Sequence, residues 1–159
     1  MRKWSNWYVF LIGVIALSGC SGDVSFTSTV KIDESGWNAN DTVTISPQID
    51  DVSTTYDVTL WVRHDKEYDY SNLWLKLISD PLLTADSTFL QEIQLADKAG
   101  RWLGVCSQSM CTKRVLLKEG LQFDQSESFK LDILQYMRED ELSSISDIGL
   151  EITPSASEL

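Results

Sequence analysis

The chain has 159 residues, of which 43% are hydrophobic, and 13 Lys and Arg against 24 Asp and Glu give a formal net charge of −11. A chain of this length makes one domain that buries about 70% of its unfolded surface, so collagen-like, coiled-coil and wholly disordered proteins are excluded. The acidic balance disfavours nucleic acid as a partner, because nucleic-acid affinity comes mainly from Lys and Arg that displace counterions. Three cysteines and one histidine offer few ligands for a transition metal, and we predict no metal and no other cofactor.

Residues 1–19 have the composition of a signal peptide rather than of a folded element. Arg2 and Lys3 precede an apolar run of eleven residues that ends at Leu17. A helix needs about 20 apolar residues to cross a bilayer, so this run does not predict a permanent anchor. Leu17-Ser18-Gly19-Cys20 resembles the bacterial lipobox. We therefore predict cleavage after residue 19 and lipidation of Cys20 as the new first residue.

The small and polar residues 20–29 are expected to tether the domain to its lipid. An acidic domain is repelled by anionic headgroups, so the acyl chains should supply the membrane contact. In enteric bacteria an acidic residue directly after the cysteine retains a lipoprotein in the inner membrane. Ser21 stands at that place here, which favours the outer membrane.

From Val30 onward, apolar residues recur at every second position, which is the period of a half-buried β-strand. The pattern predicts an all-β domain over residues 30–153, a single antiparallel β-sandwich (jelly-roll/Ig-like) of about eight or nine strands. One short helical turn is expected near residues 138–145, where Leu142 and Ile145 are three positions apart. Residues 154–159 are expected to form a frayed tail.

Cys106 and Cys111 are separated by four residues in a strand-rich region. Outside the inner membrane the compartment is oxidising, so a disulfide that stiffens a tight loop is the natural interpretation. A redox-active pair is the alternative, although such pairs favour Cys-x-x-Cys at the start of a helix.

No group of residues marks a catalytic site. His64 stands at the end of a predicted strand, and a lone histidine is more often solvated or satisfied than catalytic. A serine hydrolase would also need a nucleophile and an orienting acid, and no nucleophile motif is present. We therefore predict a protein that is not an enzyme, with a hydrolase as one rival.

Trp61 and Trp74 are out of phase with the apolar residues beside them, so we expect both on the outward face of a sheet. A large apolar group on that face either lies under a covering loop or belongs to an interaction patch.

The order of motifs along the mature chain resembles the GldH family of gliding-motility lipoproteins of Bacteroidetes. After the lipobox cysteine the motifs are Gly36-Trp37 with Asp41-Thr42-Val43, Tyr68-Asp69-Tyr70-Ser71-Asn72-Leu73, Leu95-Ala96-Asp97 with Gly100-Arg101-Trp102-Leu103-Gly104, and Met137-Arg138 through Leu142 to Asp147-Ile148-Gly149. Their order and spacing are more specific than any one of them. Family members are richer in glycine and acidic residues where this chain has Cys106 to Cys111, so the disulfide is not assigned a family function.

The resemblance implies an outer-membrane lipoprotein that faces the periplasm, works with unidentified proteins of the gliding and type IX secretion machinery, and has no enzyme activity or small-molecule substrate. A carbohydrate-binding lipoprotein for polysaccharide capture is the rival function. Exposed aromatic residues and arginines are our docking candidates, because these types are enriched at interface hot spots. They are Trp61, Arg63, Tyr68, Tyr70, Trp74 and Arg138.

Overall fold

The computed structural model describes residues 26–80, 83–123, 127–128 and 130–156. The predicted signal peptide, Cys20, the first half of the tether and residues 157–159 lie outside the described residues. None of the described residues is in a helix, and accordingly none forms a helix that could cross a membrane.

The described residues form antiparallel strands joined by turns. The thirteen strands among them are β1 (Phe26–Lys31), β2 (Trp37–Asn38), β3 (Val43–Ile45), β4 (Gln48–Ile49), β5 (Thr55–Asp65), β6 (Asn72–Ser79), β7 (Thr88–Gln94), β8 (Val105–Ser107), β9 (Met110–Gln122), β10 (Glu127–Ser128), β11 (Leu131–Gln135), β12 (Glu141–Leu142) and β13 (Ile145–Pro154).

Nine of these strands make two large sheets. The five-stranded sheet has the order β1-β13-β5-β9-β8, and the four-stranded sheet has the order β3-β11-β6-β7. Two small pairs, β4 with β10 and β2 with β12, complete the described sheets. The predicted all-β antiparallel sandwich is confirmed, and its two large sheets hold as many strands as we expected.

The strand order is that of a jelly roll. The first strand pairs with the last, β3 pairs with β11, and β5 lies between β13 and β9. Without the short β8, each large sheet has four strands, as in the eight-stranded jelly roll with its two Greek keys. An immunoglobulin fold would instead divide seven strands as ABED and CFG.

One apolar cluster fills the space between the two large sheets. Val58, Leu60 and Val62 of β5 are fully buried in it, as are Leu73 and Leu77 of β6. Their alternation in the sequence places them all on one side of each strand. At about 25 cal/mol per Å² of buried apolar area, such a core is the main stabilising contribution to the fold.

The predicted helical turn near residues 138–145 is wrong. Glu141 and Leu142 form β12, which pairs with β2 through Leu142 opposite Trp37. A turn then leads into β13, with Ser144 in the left-handed region at φ 65°. Leu142 and Ile145 are both buried, but in different strands, so their spacing of three has no helical meaning.

Both predicted boundaries of the sandwich domain need correction. Residues 26–29 belong to the sandwich and not to a tether, because β1 pairs with β13 along six residues from Phe26 opposite Ile152. Half-buried side chains alternate there with exposed Thr and Lys, a pattern too weak to separate a strand from a tether. At the other end, β13 includes Pro154, and the Ser155 N–H donates to the Thr55 carbonyl oxygen at 2.8 Å.

Candidate functional site

An open groove of about 890 Å³ lies on the outer face of the four-stranded sheet. It brings together three of the six docking candidates, Tyr70, Trp74 and Arg138. The other residues that line it are Asn72, Leu90, Tyr136, Met137 and Glu139. The volume is within the range of about 300–1,000 Å³ that is usual for ligand pockets.

The register of the sheet produces the apolar wall of this groove. Trp74 lies between Leu73 and Leu75, which are buried, and therefore projects from the opposite face. Tyr136 follows β11 beside it, and its N–H donates to the Trp74 carbonyl oxygen at 2.8 Å. Tyr136 is 57% exposed and Leu90 of β7 is 49% exposed. A cluster of exposed large apolar side chains of this kind marks an interaction site more often than a plain surface.

Tyr70 is held in place at one end of the groove. Its hydroxyl donates to Glu139 Oε1 at 2.9 Å, and its ring packs edge-on against Tyr68 with 5.6 Å between the ring centroids. The hydrogen bond to Glu139 raises the pKa of Tyr70, because only the neutral phenol can donate it. Tyr70 is therefore a neutral, preorganised wall of the groove.

Tyr68 supports the groove from beneath and does not line it. It is 5% exposed, and its hydroxyl donates to the Asn72 carbonyl oxygen at 3.2 Å. Burial raises its pKa well above the usual range of a phenol. The expectation of an exposed docking residue is wrong here, because the turn after β5 directs the ring inward against His64.

Trp61 and Arg63 lie on the other large sheet, so Trp61 and Trp74 share no face. Trp61 is only 7% exposed because it covers Gly149 of the neighbouring β13. The Arg63 guanidinium lies 5.7 Å from the centre of the indole and 3.6 Å from Asp147 Oδ2. The expectation that Trp61 is exposed for docking is wrong, because its indole packs on β13 and beside Arg63.

His64 is fully buried, so a solvated histidine is excluded. Its ring packs 4.6 Å from the Trp102 ring, and Nδ1 lies 2.9 Å from the Asp65 carbonyl oxygen. Nε2 has no hydrogen-bond partner among the described residues. Burial lowers the pKa of His64. Its position in phase with Leu60 and Val62 could have predicted the burial.

The predicted disulfide between Cys106 and Cys111 is confirmed. The two residues are opposite each other in the register of β8 and β9, with 4.0 Å between their Cα atoms. A two-residue turn closes the hairpin, and Gln108 adopts a left-handed φ of 52° there. Neither cysteine lines the aromatic groove, so the bond braces an edge of the five-stranded sheet.

Sequence reasoning missed five residues of the groove, which are Asn72, Leu90, Tyr136, Met137 and Glu139. Tyr136 is out of phase with Leu131 and Ile133, the same signal that singled out Trp74. Within the described ranges, no group of three or more His, Cys, Asp or Glu residues is placed to hold a metal ion.

Fold and groove together define a jelly-roll β-sandwich with an open aromatic surface on one sheet. Comparison with known families matches residues 24–152 to the GldH lipoprotein model. The chain belongs to the GldH lipoprotein family, which confirms the resemblance of its motifs. A "Gliding motility lipoprotein GldH homolog" from Christiangramia forsetii is 28% identical over 171 aligned positions, covering 98% of this chain and 99% of that protein.

Among solved structures, two of the Tobacco streak virus coat protein align with 84% of this chain and 89% of theirs. Their identities are 9% and 15%, with TM-scores of 0.30 and 0.27. Likeness at this level supports no inference about function.

Proposed function

We propose that this protein is a non-enzymatic, outer-membrane lipoprotein that docks another protein of the gliding motility and type IX secretion machinery. The GldH family supplies the link to gliding motility. Lipid on Cys20 would anchor the chain, and Ser21 after the cysteine favours the outer membrane with the domain in the periplasm. The jelly roll supplies a rigid body between the anchor and a docking surface.

The observation that carries this proposal is the open aromatic groove. A folded protein covers most of its large apolar side chains, as this one covers Trp61. Around Trp74, however, the neighbouring Tyr136 and Leu90 are about half exposed. Aromatic residues that line a preformed groove are the usual anchors of protein interfaces, where a few residues supply most of the binding free energy.

The proposed docking surface therefore contains only some of the six candidate residues. Tyr70, Trp74 and Arg138 remain in it, and Tyr136 joins them. Trp61 and Tyr68 are structural residues. Arg63 lies beside Trp61 on the other sheet and falls outside the groove.

The test is a double variant, Trp74→Ala with Tyr136→Ala, introduced into cells of the organism that produces the protein. We expect normal protein levels but loss of co-purifying envelope proteins and of colony spreading or secretion. Leu116→Ala is the matched control, because Leu116 is 50% exposed on β9 of the other large sheet. Unchanged co-purification and secretion in the double variant would rule out the groove as the docking site.

Carbohydrate binding is the second candidate, and the aromatic rings of the groove favour it. Sugar rings stack on exposed aromatic faces. Beside Trp74, the Glu139 carboxylate can accept hydrogen bonds from hydroxyl groups, and the Asn72 amide can accept or donate them. A neutral oligosaccharide is therefore a competing ligand for the groove.

A further inference from the structure

The aromatic groove continues into a second, acidic pocket. This pocket has a volume of about 250 Å³, and Tyr70 and Glu139 line both cavities. Asp69 and Glu141 contribute two more carboxylates to its wall. The remaining lining residues are Tyr68, Leu142 and Ser143. A ligand that fills the groove near Tyr70 therefore meets three carboxylates at its end.

Two of these three carboxylates are held in place by hydrogen bonds. Glu139 accepts the hydroxyl of Tyr70, and Glu141 Oε2 accepts from Asn38 Nδ2 at 3.2 Å. Within the described part of the chain, neither they nor Asp69 form an ion pair. Arg138 is the one cation among the residues that line the two cavities. The local charge therefore stays negative, in a protein whose formal net charge is already −11.

We propose that the groove binds an extended peptide segment of the partner protein in which a Lys or Arg lies next to large apolar side chains. This inference rests on the proposed docking function. The apolar side chains would pack on Trp74, Tyr136 and Leu90. The cationic side chain would enter the acidic pocket beside Glu139, where the Tyr70 ring can also attract it through a cation–π contact.

Charge complementarity favours this occupant over the other classes of ligand. A neutral sugar can donate hydrogen bonds to these carboxylates but gains no charge–charge attraction from them, and an anionic lipid surface is repelled by them. For a cationic peptide the same carboxylates speed the encounter and disfavour acidic competitors. The long stem of Lys or Arg can lie along the aromatic wall while its charged end reaches the pocket.

The test uses full-length lipoprotein in detergent micelles and a positional-scanning library of fluorescent seven-residue peptides. We expect the tightest binding from pools that fix Lys or Arg beside Leu or an aromatic residue, and at least about tenfold weaker binding from pools that fix Asp or Glu instead. Trp74→Ala should weaken the best pool by about tenfold or more, as for an interface hot spot.

Two double variants distinguish the effect of the pocket carboxylates on peptide binding from the effect of the overall negative charge. Asp69→Asn with Glu139→Gln and Asp86→Asn with Glu119→Gln change the net charge equally, but only the first pair alters the pocket. The first pair should weaken the best pool at least fivefold and the second less than twofold. Equal effects of the two pairs, or no preference for cationic pools, would overturn the inference.

The experiments distinguish a failure of the peptide inference from a failure of the proposed docking function. If a neutral hexasaccharide binds wild type but not Trp74→Ala, while no peptide pool binds, the groove is a glycan site and the peptide inference is wrong. If the peptides fail but the Trp74→Ala, Tyr136→Ala double variant still loses its envelope partners in cells, docking stands and only the cationic segment is wrong.

Discussion

At the residue scale, His64 is the buried polar group that most needs a physical account. The neutral tautomer with the proton on Nδ1 donates to the Asp65 carbonyl oxygen and leaves the lone pair of Nε2 unpaired. An unsatisfied buried acceptor costs about 1–3 kcal/mol. The ring recovers part of that cost by packing between Trp102 and Tyr68, at centroid distances of 4.6 and 5.8 Å.

The burial of His64 predicts that the protein loses stability in mild acid. Its pKa is lowered in the fold, so the unfolded chain binds a proton near pH 6.5 while the folded protein does not. The free energy of unfolding should therefore be at its full value above that pH and should fall as the pH drops towards the lowered pKa.

Urea unfolding of wild type and His64→Gln between pH 5 and 7 checks this prediction. The slope of the unfolding free energy against pH should be smaller in the variant, whatever its absolute stability. Carboxylates titrate in both proteins and cancel in the comparison. Parallel slopes would show that His64 titrates alike in the folded and unfolded chain.

Single positions also show where sequence reasoning reaches its limit. Trp61 and Trp74 have the same residue type and the same phase relative to their strands, yet one is covered and the other lines an open groove. The difference comes from Gly149, which lies far away in the sequence and leaves space for the indole of Trp61. A contact between distant strands cannot be derived from local alternation. In contrast, the pairing of Cys106 with Cys111 depends on a short loop and could be predicted.

At the scale of elements, the contact between β5 and β13 determines how tightly the five-stranded sheet can pack on its outer side. A Cβ added to Gly149 would lie 2.3 Å from Trp61 Cε2 and Cζ2, and 2.5 Å from the carbonyl oxygen of Ser28 on β1. The three adjacent strands β1, β13 and β5 therefore meet around one missing side chain.

Gly149→Ala should consequently destabilise the protein by about 1–3 kcal/mol or more, the usual cost of overpacking. Trp61→Ala alone should cost about 3–5 kcal/mol, as for other buried Trp side chains. In the double variant the two losses should add only in part, because the indole that blocks the new methyl group is gone while the Ser28 carbonyl oxygen still crowds it. Chemical unfolding of the four proteins gives the coupling. Strict additivity would contradict direct contact between the two positions.

Four of the long strands were predictable, whereas β9, the longest described strand, and the two-residue strands were not. In β9 the apolar residues Val115, Leu116 and Leu117 are consecutive, so no period of two is visible. In β5, β6, β11 and β13 the period of two continues for at least five residues and is visible without a structure. The two-residue strands β2 and β12 are too short to show a period. Their pairing brings Trp37 opposite Leu142, which is far away in the sequence. Compared only with its near neighbours, Leu142 suggests a helical turn, because Ile145 is three positions away.

At the scale of the whole molecule, Phe26 at the start of β1 and the groove lie at opposite ends, or poles, of the sandwich. Phe26 pairs with Ile152 at the pole where β5 begins. The groove is near the other pole, because the Tyr68 ring contacts His64 close to the end of β5, and Tyr70 packs on Tyr68. The eleven residues of β5 separate the poles by about 35 Å.

A lipid on Cys20 would then hold the groove away from the membrane. Five residues separate Cys20 from Phe26, so the six Cα–Cα steps between them reach at most about 20 Å. In liposomes that carry a paramagnetic lipid headgroup, a spin label at Ala156→Cys near the anchored pole should relax faster than one at Asp69→Cys near the groove. The controls are the same two labelled proteins with Cys20→Ser added, which removes the lipid anchor. Equal relaxation of the two labels in the lipidated protein would contradict the orientation.

The pairing of β1 with β13 also bears on how the protein would transmit force. Tension between a lipidated N-terminus and an occupant of the groove would pull β1 along its own axis, towards the membrane. All six residue pairs of β1 with β13 would then resist in shear at once, instead of opening one after another as in a zipper. A strand loaded in this direction suits a lipid-anchored protein whose bound partner is pulled away from the membrane.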